Sequence, residues 1–192
     1  MSIPELHIRL PDWVSAFLED WPEVLAEPAS RMEFAIALSR ENIRQGTGGP
    51  FGAGVFDGEG RLIAPGVNLV TSANCSLLHA EMVALALAQQ RLGRYDLSNG
   101  GGESLELVTS TEPCAMCLGA IPWSGVARVR CGARDADARA RGFDEGPKPA
   151  HWRAELRQRG IEVKTDLLRD AAAAVLDAYV RDGGELYNSG GR

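Results

Sequence analysis

The order of periodic segments predicts an α/β domain, with one central sheet covered by helices on both faces. Three observations carry this reading. Apolar runs of strand length alternate with longer Ala- and Leu-rich runs along most of the chain. Clusters at 46–50, 57–60 and 100–102, rich in Gly and turn formers, separate them. Two of the helical runs each begin directly after an extended segment, so their N-termini can meet at one end of the sheet.

The elements follow in order. Residues 1–29, with Trp13, Trp21 and several prolines, read as an N-terminal extension to a single domain over 30–192. Ser30-Arg31-Met32-Glu33 has the form of a capping box and predicts a helix to about Arg44, with Met32, Ile36, Leu38 and Ile43 apolar. Strands are expected over 51–56 and 61–70 as a hairpin around Asp57-Gly58-Glu59-Gly60. A helix opens at His79 and runs to about Leu92, a strand covers 105–110, and a helix runs from Cys114 to about Trp123. Then come a strand over 127–131, a long loop over 134–149, a helix over about 150–159, a strand over 161–165 and a helix over about 170–181. There is no internal repeat, low-complexity linker or second domain.

Composition narrows the class. A chain of 192 residues with 45% hydrophobic content supports one well-buried core. Four cysteines do not make a disulfide framework. The start MSIPELHIRLPDW lacks a basic region followed by an apolar run, and no apolar stretch is long enough to span a bilayer, so a cytoplasmic protein is expected. The net charge of −6 should repel a polyanion. Arg128, Arg130, Arg134, Arg139 and Arg141 form the one dense basic stretch, but Asp135 and Asp137 interrupt it, and it reads as a solvated loop and strand edge. A small-molecule substrate is expected, with no nucleic-acid or membrane partner.

The chemistry lies in His79-Ala80-Glu81 and Pro113-Cys114-Ala115-Met116-Cys117. His79, Cys114 and Cys117 offer three ligands to a Zn²⁺. Catalytic zinc sites keep a fourth position for water, and water bound there has its pKa lowered to roughly 7. A C-x-x-C pair at a helix start places both sulfurs near unsatisfied N–H groups, which favours the thiolate. Glu81, two residues after the histidine, is placed to move protons, a role typically worth about 10²–10⁴ in rate. H-x-E followed by P-C-x-x-C is the signature of zinc-dependent nucleobase deaminases. A structural site closed by Cys75 or Cys131, or a redox pair, would leave Glu81 and Pro113 unexplained.

With these motifs in view, the chain resembles the cytidine deaminase superfamily, and within it the bacterial guanine deaminase branch. Gly48-Gly49-Pro50-Phe51-Gly52-Ala53, Gly66-Val67-Asn68, the two metal motifs and their continuation to Ala120 carry the resemblance from about residue 30 onward. Gly142-Phe143-Asp144-Glu145-Gly146-Pro147 is the branch-specific stretch. Leu6-His7-Ile8-Arg9-Leu10-Pro11 and Leu186-Tyr187-Asn188 are similar to a subgroup that also accepts ammeline.

The resemblance implies a three-layer α/β/α sandwich with a five-stranded mixed sheet, one Zn²⁺ per chain and a homodimer, the C-terminal tail over each pocket coming from the same chain or, by exchange, from the partner. It implies that His79, Cys114 and Cys117 hold the metal and that Glu81 is the principal proton shuttle. Asn68 would bind the purine ring, and Glu145 would engage the amino edge of guanine and shuttle a second proton. Phe51 and Trp123 would be aromatic walls, Ala80 and Asp144 would touch the base, and Tyr187 in the tail would close the pocket. The implied reaction is hydrolysis of guanine to xanthine and ammonia, with ammeline as a further substrate.

Each assignment has a plainer counterpart. Asn68 could be a turn residue, Phe51 and Trp123 plain core, and Glu145 solvated surface. Glu112, beside Pro113, reads as serving the turn; His7 and His151 read as surface, and Cys75 and Cys131 as packing residues. Two other function classes compete: editing of adenosine in tRNA, which would want a basic groove, and a non-catalytic zinc module, which would have no use for Glu81. Deamination of guanosine or a cytosine-type base stays open from the residues alone.

Overall fold

Asp57 shapes the turn of the expected hairpin: its Oδ1 accepts the N–H groups of Glu59 at 2.9 Å and Arg61 at 2.8 Å. The turn joins β1 (Gly52–Phe56) to β2 (Leu62–Val67) in antiparallel register, Gly52 opposite Val67 and Val55 opposite Ala64. In the computed structural model, which describes residues 3, 5, 7–102 and 104–188, three further strands complete the sheet. Leu6, part of a stretch quoted above, lies outside these residues.

The further strands are β3 (Glu106–Thr111), β4 (Arg128–Ala133) and β5 (Glu162–Lys164), and the sheet order is β2-β1-β3-β4-β5. β1 is antiparallel to β3, whereas β3, β4 and β5 run parallel, so the five-stranded sheet is mixed as expected. Every residue of β1 and β3 is buried, the pattern of strands covered on both faces.

Seven α-helices surround it among the described residues: α1 (Trp13–Glu19), α2 (Pro28–Arg44), α3 (Ala80–Leu92), α4 (Ala115–Ser124), α5 (Asp135–Arg139), α6 (Trp152–Gln158) and α7 (Arg169–Arg181). One core face joins Val55 and Leu107 to Ala84 of α3, Ile121 of α4 and Leu156 of α6. The opposite face joins Phe56 and Val108 to Phe34 and Leu38 of α2 and Val175 of α7. The three-layer expectation holds. α1 stands outside the layers, with Phe17 5.8 Å from the ring of Phe34 and Trp21, just beyond it, 5.2 Å from the same ring.

The structure corrects several boundaries. α2 begins at Pro28 after an extended Glu27, not at a Ser30 capping box, because proline's fixed φ suits the first helical position. β2 stops at Val67, and 68–78 are turns and loop that carry the chain over to His79. The loop expected over 134–149 contains α5, whose N-terminus is secured by the Asp137 carboxylate accepting the Arg134 N–H at 2.8 Å. Five residues are too few for hydrophobic periodicity to reveal a helix.

One buried ion cluster ties the layers together. Glu106, at the start of β3 and 1% exposed, accepts from Arg31 Nε at 2.9 Å and Arg130 Nε at 2.8 Å, with Arg128 Nε at 3.3 Å. Arg31 also donates to the carbonyls of Leu25 and Ala26.

Candidate active site

His79 and Cys114 occupy equivalent places in the fold, as the N-cap residues of α3 and α4, both in extended conformation. The Cys114 sulfur accepts the Cys117 N–H at 3.5 Å, so an orphan donor of the first turn is aimed at a thiolate. The two caps converge. His79 Nδ1 lies 3.4 Å from Cys114 Sγ and 3.7 Å from Cys117 Sγ, and the three ligand atoms lie within 4.8 Å of one another. A tetrahedral ion with bonds of about 2.0 Å to nitrogen and 2.3 Å to sulfur would separate those atoms by about 3.5 Å. The donor set therefore fits zinc. Neither Cys75 nor Cys131 joins this group among the described residues; Cys131 is fully buried in the core.

Glu81, in the first turn of α3 and 6% exposed, lines a pocket with His79, Cys114 and Glu145. Glu145, 5% exposed, sits on the loop after α5. Two tethers hold that loop against the start of α4, Ala115 N–H to the Glu145 carbonyl at 2.9 Å and Lys148 Nζ to the Pro113 carbonyl at 3.1 Å, and Arg139 Nη2 ties it back to α5 through the Gly146 carbonyl at 2.7 Å. The Lys148 side chain is itself buried, 2.9 Å from Asp135 and 3.7 Å from Glu112, with its ammonium 5.2 Å from the Trp152 ring centre. Glu112 reaches the pocket wall, but its carboxylate is taken up by the Asp135 N–H, Lys148 and Arg153.

Electrostatically the pocket is rich in acids. Burial, followed by the charges on Cys114 and Glu81, pushes the Glu145 carboxyl up to about 8. Glu81 is raised as well, by burial and then by Cys114. Cys114 is lowered to about 4, first by the hydrogen bond with Cys117 and then, against burial, by that with His79, whereas Cys117 is raised. Burial works against the His79 cation, yet Cys114 and Glu81 raise it overall. So many acidic groups facing one point, with neither Glu81 nor Glu145 in an ion pair among the described residues, mark a place for a cation, which would draw these values down.

The far wall is aromatic. Phe51 and Phe143 meet edge to face at 5.0 Å, and Tyr187 of the tail lies 5.9 Å from Phe143. Asn188 pins the tail, accepting the Asp144 N–H at 2.9 Å and donating to the Gly142 carbonyl at 2.7 Å, so the tail closes over the pocket of its own chain. A β-carbon on Gly49 would come within 2.4 Å of the Tyr187 hydroxyl, which explains the glycine there. Asn68 is fully buried: its Oδ1 accepts the N–H groups of Gly49 at 3.3 Å and Val70 at 3.2 Å. Its Nδ2 has no partner among the described residues, and neither has the Tyr187 hydroxyl.

Phe51, Asp144, Glu145 and Tyr187 thus reach the pocket, while Asn68 lies buried beside it, its N–H bonded to the Phe51 carbonyl at 3.1 Å. Trp123 does not reach it. It is 85% exposed on α4 and lines a separate groove with Pro122, Leu118 and Trp152. On a helix with the ligand cysteines at its start, a residue nine positions after Cys114 is carried to the opposite end and outward. Ala80 is buried at the first position of α3, where a β-carbon on Gly66 would meet its carbonyl at 2.2 Å, and its side chain packs in the core instead of lining the pocket. Ser76, Phe143 and Asn188 line the pocket unforeseen; the last two lie inside stretches that carried the resemblance. His7 and His151 are exposed, as read from the sequence.

With this geometry in hand, comparisons with known proteins are informative. The family model for the cytidine and deoxycytidylate deaminase zinc-binding region matches residues 27–133. The guanine deaminase of Bacillus subtilis (strain 168) is 43% identical over 111 residues, 58% of this chain and 67% of that one. A solved guanine deaminase from Nitrosomonas europaea superposes with a TM-score of 0.86 at 49% identity, covering 92% of this chain and 97% of the other. A structure of the protein NE0047 bound to 2,6-diaminopurine gives a TM-score of 0.87 at 49% identity over 95% of this chain and 96% of that one. Among the described residues no helix is long and apolar enough to cross a membrane.

Proposed function

The chain belongs to the cytidine and deoxycytidylate deaminase family, and from that premise we propose that it is a zinc-dependent hydrolase converting guanine to xanthine and ammonia. The observation that carries this reading is one pocket that brings Glu81 and Glu145 against the His79–Cys114–Cys117 donor set. The likeness to guanine deaminases over more than nine-tenths of the chain supports it.

His79, Cys114 and Cys117 would hold one Zn²⁺ per chain, which when bound supplies the Lewis acidity that makes water nucleophilic at neutral pH. Glu81 takes one proton from the attacking water and places it on the ring nitrogen N3, then passes the second water proton to the departing amino nitrogen. The water oxygen bonds to C2, the exocyclic C–N bond breaks, ammonia leaves and a carbonyl remains. Glu145 accepts hydrogen bonds from N1–H and the amino group, an edge that adenine lacks because its ring nitrogen there bears a lone pair. Asn68, its Oδ1 already committed to two backbone N–H groups, offers Nδ2 to an acceptor on the purine. Phe51 and Phe143, in contact with each other, form an aromatic wall beside the ring space, and Tyr187 excludes water. The groove between α4 and α6, with Trp123 exposed in it, suits a second copy of the chain, so we read the protein as a homodimer.

The test is chromatographic. Zinc-loaded protein should release ammonia from guanine, with ammeline and an anticodon-loop RNA as comparison substrates, and elemental analysis should give one zinc per chain. Efficient deamination of adenosine in the RNA with guanine inert, or absence of zinc, would overturn the reading.

A further inference from the structure

Residues 1–26 lie outside the matched family region, yet a continuous line of hydrogen bonds runs from them to Asn68. Trp13 on α1 donates its Nε1–H to Thr47 Oγ1 at 3.1 Å. The Thr47 hydroxyl donates onward to Asn42 Oδ1 at 2.7 Å. Asn42 Nδ2 then donates to two carbonyls at once, Gly49 and Asn68, each at 2.9 Å. Asn42 is fully buried and both donors of its amide nitrogen are used by these bonds, so neither carbonyl can move without leaving a buried polar group unmet.

Those two carbonyls bracket the setting of the Asn68 side chain, whose Oδ1 accepts from Gly49 N–H and Val70 N–H. The approach is so close that a β-carbon on Gly48 would fall 1.9 Å from the Asn68 carbonyl. Because Oδ1 is committed on both sides, Nδ2 is the end of the buried amide left for a ligand. The network therefore fixes which end of Asn68 a ligand meets.

We propose that α1 is a positioning element for base recognition, acting through the Trp13–Thr47–Asn42 line on Asn68. This rests on the reading of Asn68 as a base-binding residue. An alternative is that the line only braces the fold, and the two differ in one measurable respect. A brace changes stability wherever Asn68 stands, whereas a positioning element loses its effect on the ligand once the Asn68 amide is gone.

The experiment is a double-mutant cycle read by equilibrium binding of guanine to zinc-loaded protein carrying Glu81→Gln to stop turnover. Thr47→Val keeps the shape and removes the hydroxyl; it should weaken binding about fivefold, the worth of one hydrogen bond. Trp13→Phe, which removes one N–H donor and keeps an aromatic ring, should act in the same direction. In the Asn68→Ala background both effects should shrink below about twofold. Losses that persist undiminished in that background, or a Thr47→Val protein that unfolds more readily but binds guanine as before, would overturn the proposal. Unchanged affinity in Asn68→Ala alone would instead remove the base-binding reading of Asn68, and the proposal with it; that outcome is read from a protein with Trp13 and Thr47 intact.

Discussion

At its N-terminal end β3 carries Glu106, 1% exposed and in contact with Arg31, Arg128 and Arg130. Beyond its C-terminal end lie Glu81 and Glu145, 6% and 5% exposed, with no ion pair among the described residues. Taking a carboxylate out of water costs several kcal/mol unless partners repay it. At Glu106 three guanidinium groups do so, and the result links α2, β3 and β4. At the other end the repayment is missing from the side chains, so both carboxyls are pushed upward and await charge from elsewhere. Similar burial of the same residue type thus gives a structural fastener where cations are supplied by the chain, and a reactive group where they are withheld.

The contrast can be broken at either end. Glu81→Gln should leave zinc content and the unfolding midpoint near those of the parent and reduce guanine turnover by up to about 10⁴. A Gln variant within tenfold of the parent would sink its role as proton shuttle. Glu106→Ala should do the reverse, lowering the unfolding free energy by about 3–5 kcal/mol because it strands buried arginines. The folded, zinc-loaded fraction should still turn over guanine normally, which denaturant titration alongside kinetics would show.

Glu145→Ala should lower kcat/KM for guanine about 100-fold through two lost charge-assisted hydrogen bonds, with zinc retained. Full activity in that variant would place Glu145 among the fasteners. A smaller effect sharpens the comparison through Asp137, a paired carboxylate nearer the surface. Arg169 donates to it at 2.8 and 2.7 Å, the first cause of its fall from 3.8 to about 2. Because the folded value is the lower one, the ion pair stabilises the protein fully above 3.8 and its contribution is lost as pH falls through about 2. The stability difference between the parent and Asp137→Asn should shrink across that interval, as followed by unfolding at a series of pH values.

Much of this molecule was legible in the sequence because the information is local. Ligand chemistry fixes His79, Cys114 and Cys117 through residue type and spacing, and Glu81 follows from its place two residues after His79. The Asp57–Gly60 turn and the strand-then-helix order around both motifs suffice for the layered α/β reading. Ser30 misled because a capping box is a side-chain pattern, whereas Pro28 starts α2 through its backbone two residues earlier.

What only the tertiary structure decided is which distant groups meet. Nothing in a short window distinguishes Glu112, whose charge is met by Lys148 and Arg153, from Glu145, whose charge is not. Trp123 looked like a pocket wall until the direction of α4 turned it outward, 85% exposed. Trp13 lies 34 residues from Thr47 in the chain yet bonds to it, and that contact links an apparent appendage to Asn68. The metal motifs are set by covalent spacing and ligand identity, which the sequence carries in full. The charge state of a buried carboxyl and the facing of an aromatic ring depend on neighbours brought together by the packed layers, and those neighbours exist only once the chain has folded.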